Sequence, residues 1–445
     1  LKNPSPLATI LNTFSSLKGN RELQLYLLSQ VFRLSGWALQ QVSVSWLVYS
    51  ATKSNLMLAF VNFANFLPAV ILGLSGGWVA DRFNRKRVLL ITQTLNTILM
   101  VGFAIVSKHS TTNIHAIIWL CVGLGIVFAH DQPVRQSLLM NLIPAEKRVN
   151  AFCVEMIIST VTMMFALAGA GVLVTHYGEW RCFLFAGVTF ILASICLTFL
   201  KDETLIRTAE AETSAEGSVG TTSLIDVIKY VVKTPNVRRL FWQNCIALFL
   251  GTKYGLFLPA IITGQLHGTS STLGYLDAAN SVGGAMAGFT LANLVVGATW
   301  GVPGAVVIGC ACLFVLAFSK SFVLSAFVVI AIGLCFTLQN NGNYAVLQTI
   351  IPDRIRGRVI GFYLISTQLV DQLGGLYAGW GANKIGVQKM LALEGGLCGL
   401  IFLVIWWRGR AGKLNEGILV SSEEAVAARE GNDEKAIVPP VAIED

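Results

Sequence analysis

Twelve apolar runs, each long enough to cross the roughly 30 Å hydrocarbon core of a bilayer as an α-helix, leave this chain very few ways to fold. They fall at about residues 24–50, 57–80, 88–107, 114–139, 150–176, 181–200, 237–264, 273–297, 302–319, 322–345, 359–383 and 388–407, spans 1 to 12 in chain order. Inside hydrocarbon every backbone N–H and C=O must find its partner within the protein, so runs of this length predict helices. Only 13% of the residues are charged, against about 25% in a soluble domain, which is too few to clothe a surface in water. The expectation is an all-α, polytopic membrane protein.

The cations give the orientation. Lys18 and Arg21, Arg82 with Arg85, Lys86 and Arg87, Lys147 and Arg148, Arg238 and Arg239, Arg354 with Arg356 and Arg358, and Arg408 and Arg410 all fall on one side. The opposite loops hold scattered cations: Lys53, Lys108, Arg181, Lys320, Lys384 and Lys389. The positive-inside rule makes the first side cytoplasmic and places both termini there, as in a protein of the bacterial inner membrane. Trp119, Trp180, Trp300, Trp406 and Trp407 sit near span ends, where amphipathic rings prefer to lie. The net charge of +8 is thereby a topology signal, and no nucleic-acid partner is expected.

The first run is too long, and lacks the small-residue site, for a cleavable signal, so it reads as a retained helix. The nine Cys lie in or at the ends of apolar segments, without a CxxC pair or a His at ligand spacing, and suit packing. Of the five His, 109, 115, 176 and 267 map to the outer side and His130 adjoins Asp131. No metal or cofactor is implied. No nucleophile with a base and no phosphate loop stands at useful spacing, so no catalytic residue is assigned and an enzyme is disfavoured.

Five segments follow: a cytoplasmic stretch 1–23, a six-helix bundle 24–200, a cytoplasmic linker 201–236 with an amphipathic run Leu224 to Val232, a second bundle 237–407, and an acidic tail 408–445. An internal repeat supports the division. A shift of 208 residues lays Ile143-Pro144 on Ile351-Pro352, Arg148 on Arg356, Gly171 on Gly379, Gly178 on Gly386 and Gly76 on Gly284. Parallel repeats related by an axis normal to the membrane hold substrate between them near the midplane.

The strongest local signal is Gly76-Gly77-Trp78-Val79-Ala80-Asp81-Arg82-Phe83-Asn84-Arg85-Lys86-Arg87, between spans 2 and 3. It resembles motif A of the major facilitator superfamily. Gly77 permits close helix approach, Asp81 can meet a helix N-terminus, and Arg82, Arg85, Lys86 and Arg87 suit anionic headgroups. The resemblance implies a gate in which Asp81 braces the first half against the start of span 11, near Gly357 and Arg358. An ordinary positive loop explains the cations alone.

Asp131-Gln132-Pro133-Val134-Arg135-Gln136-Ser137, Leu142-Ile143-Pro144, Leu67-Pro68 and the run Leu347 to Val359 resemble the drug:proton antiporter branch that contains macrolide efflux proteins and the enterobactin exporter. That likeness implies twelve helices in two pseudo-symmetric bundles, alternating access and proton-driven export. One departure matters: the branch often carries Gly-Asp in span 1, where this chain has Ser35-Gly36-Trp37.

Ionisable residues inside spans cost roughly 2.5 to 3.5 kcal/mol each at the centre, so they are functional candidates by default. Arg33 in span 1 and Asp131 in span 4 lie at matching depths and can form a pair, either one that breaks during transport or a permanent tether. Asp371, near mid-depth in span 11 with Gln368 and Gln372 on its face, is the leading proton site. Lys253 in span 7 can pair with it, attract an anionic substrate, or snorkel outward. Glu155, low in span 5, suits a cytoplasmic gate with Arg135 or the motif A cations, while Asp277 and Glu394 read as solvated positions near the outer side.

Gln40 and Gln41 of span 1, Asn62 and Asn65 of span 2, and Gln339, Asn340 and Asn343 of span 10 form a candidate cavity lining. With Trp37, Phe32 and Tyr344 it suits a small amphipathic organic molecule, a siderophore or drug-like compound, better than an ion or a sugar. Each amide can equally bridge helices. A monomeric exporter in the lipid bilayer is the expectation. An importer of the same fold, and a transporter-like receptor or scaffold signalling through linker or tail, are the alternatives.

Overall fold

The computed structural model describes residues 20–108, 113–143, 148–201, 224–294 and 298–410. Among these, twelve long helical spans alternate in direction: Arg21–Thr52, Asn55–Arg82, Arg85–Lys108, Ile114–Asn141, Arg148–Tyr177, Glu179–Thr198, a seventh in three pieces, then Ser270–Leu294, Ala298–Phe318, Phe322–Ile350, Asp353–Ile385 and Val387–Arg410. The seventh comprises Pro235–Ile246, a wider π-turn Ala247–Gly251, and Tyr254–Gly264. A short helix, Leu224–Lys233, precedes it. No strand occurs among the described residues. The stretches before residue 20, 202–223 and 411–445 lie outside the description.

Among the described residues, eight segments are apolar and long enough, by length and composition, to cross a membrane. The expected spans are mostly shorter than the helices, because hydrogen bonding runs on past the hydrocarbon. Span 11 begins six residues before its apolar run, at Asp353. Caps end the helices cleanly: the Asn20 side chain accepts from Leu23 N at 3.0 Å and its amide donates to the Leu142 carbonyl, tying span 1 to the end of span 4.

Large apolar side chains point outward in stripes. Ile91, Ile98 and Ile105 of span 3, seven residues apart, are each nearly 60% exposed, as are Phe165, Ile308 and Phe327 or more so. Such a belt is untenable in water and natural against lipid tails.

The packing divides unequally along the membrane normal. One apolar cluster draws on both halves, joining Val48 and Leu58 to Leu258, Ile261 and Leu273. The other two stay within one half each and gather at the end that carries the termini. Leu23, Tyr26, Leu89 and Leu138 belong to the first half; Val227, Leu240, Leu347 and Tyr363 belong to the second and take in the linker helix. Among the described residues, apolar packing therefore joins the halves at the far, distal end, while the clusters at the terminal end each stay within one half.

The 208-residue repeat explains how the distal end closes. Gly171 of span 5 lies against span 8: a Cβ there would fall 2.5 Å from the Ser270 carbonyl oxygen and 2.8 Å from Gly274 Cα. Its repeat mate Gly379 of span 11 lies against span 2, where a Cβ would meet the Asn55 carbonyl oxygen at 2.8 Å. Small residues let backbones approach this closely. Polar bonds lock both crossings: Thr175 to Ser270 at 2.8 Å, Asn383 Nδ2 to Ser54 Oγ at 2.8 Å, and Asn55 N to Asn383 Oδ1 at 3.2 Å.

Gly171→Val is expected to open this seal. Spin labels at exposed Tyr177 and Tyr275 should then move apart by several Å, while Gly169→Val, whose Cβ would meet nothing within 4 Å, should leave the distance unchanged. An unchanged distance in Gly171→Val contradicts this account of closure.

Candidate functional site

The break in span 7 makes the site. Ala247–Gly251 widens into a π-turn, a local feature frequent where function needs a side chain redirected. The helix restarts at Tyr254, so Thr252 and Lys253 fall at the joint. Lys253 is only 6% exposed and reaches span 11. Gly374 makes room for it: a Cβ there would lie 2.9 Å from Lys253 Cε.

The Lys253 ammonium forms an ion pair with the Asp371 carboxylate and also donates to the Asp371 carbonyl at 2.6 Å. Thr252 Oγ1 donates to the same carboxylate at 3.1 Å, and Gln372 Nε2 to its other oxygen at 3.3 Å. The Asp371 side chain is 27% exposed, so the cation is buried while the carboxylate faces open space. An event at the carboxylate strands a buried cation, which is costly.

That space is a cavity of about 620 Å³ between the halves. Trp37, Gln40 and Gln41 from span 1, and Asn62 and Asn65 from span 2, face Lys253, Gln368, Asp371 and Gln372. Size and mixed lining suit a small organic molecule. Gln339 and Asn343, expected here, are 1% and 2% exposed and are not among the residues lining this cavity. Asn343 Nδ2 instead donates to the Leu240 carbonyl at 3.5 Å, and Asn244 Nδ2 to Asn340 Oδ1 at 3.3 Å, so these amides bridge spans 7 and 10.

Asp277 and Glu394 are corrections. Asp277 of span 8 lines the cavity, and Glu394 of span 12 is fully buried, both carboxylate oxygens lacking a hydrogen-bond partner among the described residues. Both lie about two turns into their helices, as expected, but nearness to the helix end leaves Glu394 buried and sets Asp277 on the cavity wall rather than in outer solvent.

In the first half Asp131 does not pair with Arg33. Its partner is Arg135, one turn along span 4, with Nε to Oδ2 at 3.1 Å and Nη2 to Oδ1 at 3.2 Å. Thr92 Oγ1 and Gln93 Nε2 of span 3 donate to Asp131 at 2.7 and 2.9 Å. Both members of the pair are buried. The i, i+4 spacing was visible in the sequence and is the commonest way for helical charges to meet. Arg33 Nε instead donates to Gln30 Oε1 at 2.8 Å, and Gln30 Nε2 donates to Glu155 at 3.0 Å, so Glu155 is held by an amide rather than by Arg135 or the motif A cations.

Of motif A, the packing at Gly77 and the side chain of Asp81 lie outside the described residues, and with them the brace to span 11. Arg82 ends span 2, Arg85 opens span 3, Asn84 Oδ1 accepts from Arg87 N at 3.2 Å, and Lys86 Nζ donates to the Leu200 carbonyl at the end of span 6.

The pattern of the family described as transmembrane secretion effector matches residues 13–428. The chain belongs to that family. It is 23% identical over 386 residues to the staphyloferrin A transporter of Staphylococcus aureus (strain NCTC 8325 / PS 47), covering 86% of this chain and 94% of that one. It is 24% identical over 372 residues to YfiS of Bacillus subtilis (strain 168), an uncharacterized MFS-type transporter, covering 80% and 84%. The solved nucleoside transporter NupG superposes with a TM-score of 0.69 at 16% identity, covering 87% of this chain and 99% of that one, a likeness of fold. The chain is thus a membrane transporter of the major facilitator type, its two six-helix bundles enclosing the cavity just described.

Proposed function

We propose that this transporter exports an amphipathic organic compound, a siderophore or a drug-like molecule, across the bacterial inner membrane by alternating access and proton antiport. The Lys253–Asp371 pair is the observation that carries the reading, because it sets a breakable charge pair on the wall of the inter-half cavity. Protonating Asp371 releases Lys253, and deprotonation restores the pair. Substrate and proton thereby compete for one state of the site, the requirement of antiport.

The positive loops make the terminal end cytoplasmic, so the closed distal end is the outer one and the arrangement described is inward-facing. Closing the terminal end while the Gly171 and Gly379 crossings separate exposes the cavity to the outside. The staphyloferrin A transporter supports a siderophore-sized cargo, and the family's description as a secretion effector supports export.

Flux in proteoliposomes, with a panel of siderophores and amphipathic drugs and with or without a pH gradient, tests the proposal. Uptake into inverted vesicles driven by an acidic interior is the expected result. Transport in the opposite sense favours an importer, and flux indifferent to the gradient removes antiport.

A further inference from the structure

A second cavity, of about 860 Å³, lies one turn of span 1 closer to the terminal end, bounded by spans 1, 4 and 5 and faced by Tyr344 of span 10. Three guanidinium groups line it, Arg33, Arg135 and Arg148, against one carboxylate, Glu155. Arg135 spends Nε and Nη2 on Asp131, and its Nη1 is buried without an acceptor among the described residues. Arg148 Nε is buried in the same condition. Arg33 commits Nε to Gln30, and Glu155 is engaged by that same amide, so neither satisfies the other.

Buried donors are normally paired, and unpaired ones beside a cavity mark a place for an acceptor. Guanidinium groups present planar forks that match the two oxygens of a carboxylate or the oxygens of a phosphate. Gln132, Gln136 and Ser137 on the same wall add neutral donors. Arg148 reads in the sequence as one more loop cation, yet the helix beginning at that residue turns it inward.

We propose that this cavity binds the oxyanion of the cargo, so that the transported compound is an amphipathic acid whose carboxylates lie among Arg33, Arg135 and Arg148 while its less polar part reaches the Trp37 cavity above. This rests on the transport reading for the word cargo, but the binding it requires is an equilibrium property and needs no flux or gradient.

Calorimetric binding of tricarballylate, a simple tricarboxylate, to the full chain in neutral detergent is the test, with its trimethyl ester as the uncharged control. The acid is expected to bind and the ester to bind at least about tenfold more weakly, with Arg33→Gln and Arg148→Gln each weakening the acid about tenfold, as for a lost charge-assisted hydrogen bond. Glu155→Gln removes the opposing carboxylate and is expected to tighten binding, a gain that misfolding cannot imitate. Equal binding of acid and ester, no binding of the acid, or indifference to all three substitutions overturns the proposal. Phosphatidylglycerol nanodiscs supply the other source of oxyanions. If lipid headgroups alone respond to the arginine substitutions, the cavity is a lipid site and the cargo assignment falls.

Discussion

Asp371→Asn is expected to reduce gradient-driven flux at least about tenfold while the protein stays folded and in the membrane. The substitution keeps the shape of the side chain and one oxygen to accept from Thr252, turns the oxygen that accepts from Gln372 Nε2 into a donor, and removes the group that takes and releases a proton. Lys253, 6% exposed, then faces an amide in place of a carboxylate. Removing one member of a buried pair costs about 3–5 kcal/mol when both are fully desolvated, and Asp371 is partly open, so a smaller loss is expected here. The cost appears as a bias between conformations and as loss of coupling. Lys253→Met tests the same site from the other side: it removes the stranded cation, so the pair of substitutions Lys253→Met and Asp371→Asn should be better tolerated in melting temperature than Asp371→Asn alone. Parallel flux measurements and thermal melts in detergent check both statements. Undiminished gradient-driven flux in Asp371→Asn contradicts the assignment.

The second large effect concerns stability. Asp131→Asn leaves the Arg135 guanidinium, 1% exposed, without its counter-charge inside the first half. A destabilisation of about 3–5 kcal/mol is expected, and Arg135→Leu should cost a similar amount by stranding Asp131. The double substitution should recover a large part of the loss, since replacing a whole buried pair by neutral groups is far cheaper than breaking it. A double-mutant cycle on melting midpoints gives the coupling directly. Additive losses would show that Arg135 and Asp131 do not act as a pair.

The twelve spans were legible because bilayer thickness dictates run length, and the intramembrane charges were legible because apolar surroundings make each one conspicuous. Lys253 and Asp371 drew attention for that reason, and the same reasoning applied to Glu394 would have read it as buried. Azimuth was not legible. Counting residues from a span's end gives height in the membrane but not which neighbour a side chain faces, so matching depth pairs Arg33 with Asp131 although Arg135 stands one turn away on Asp131's own helix. The π-turn in span 7 carries no composition signal, since Ala247–Gly251 reads as ordinary apolar helix; it is packed against spans 9, 11 and 12, contacts that local sequence does not reveal. Arg148 looked like topology because the positive-inside rule explains every cation at a span end equally well.

In the proposed mechanism, movement of cargo one way and of protons the other share the Asp371 site. Proton movement recorded with a pH-sensitive dye trapped in proteoliposomes, on addition of the compound identified by flux, tests it most directly. Proton flow opposite to cargo, absent in Asp371→Asn, is the predicted result; cargo transport unaccompanied by proton movement, and unchanged by that substitution, would contradict it.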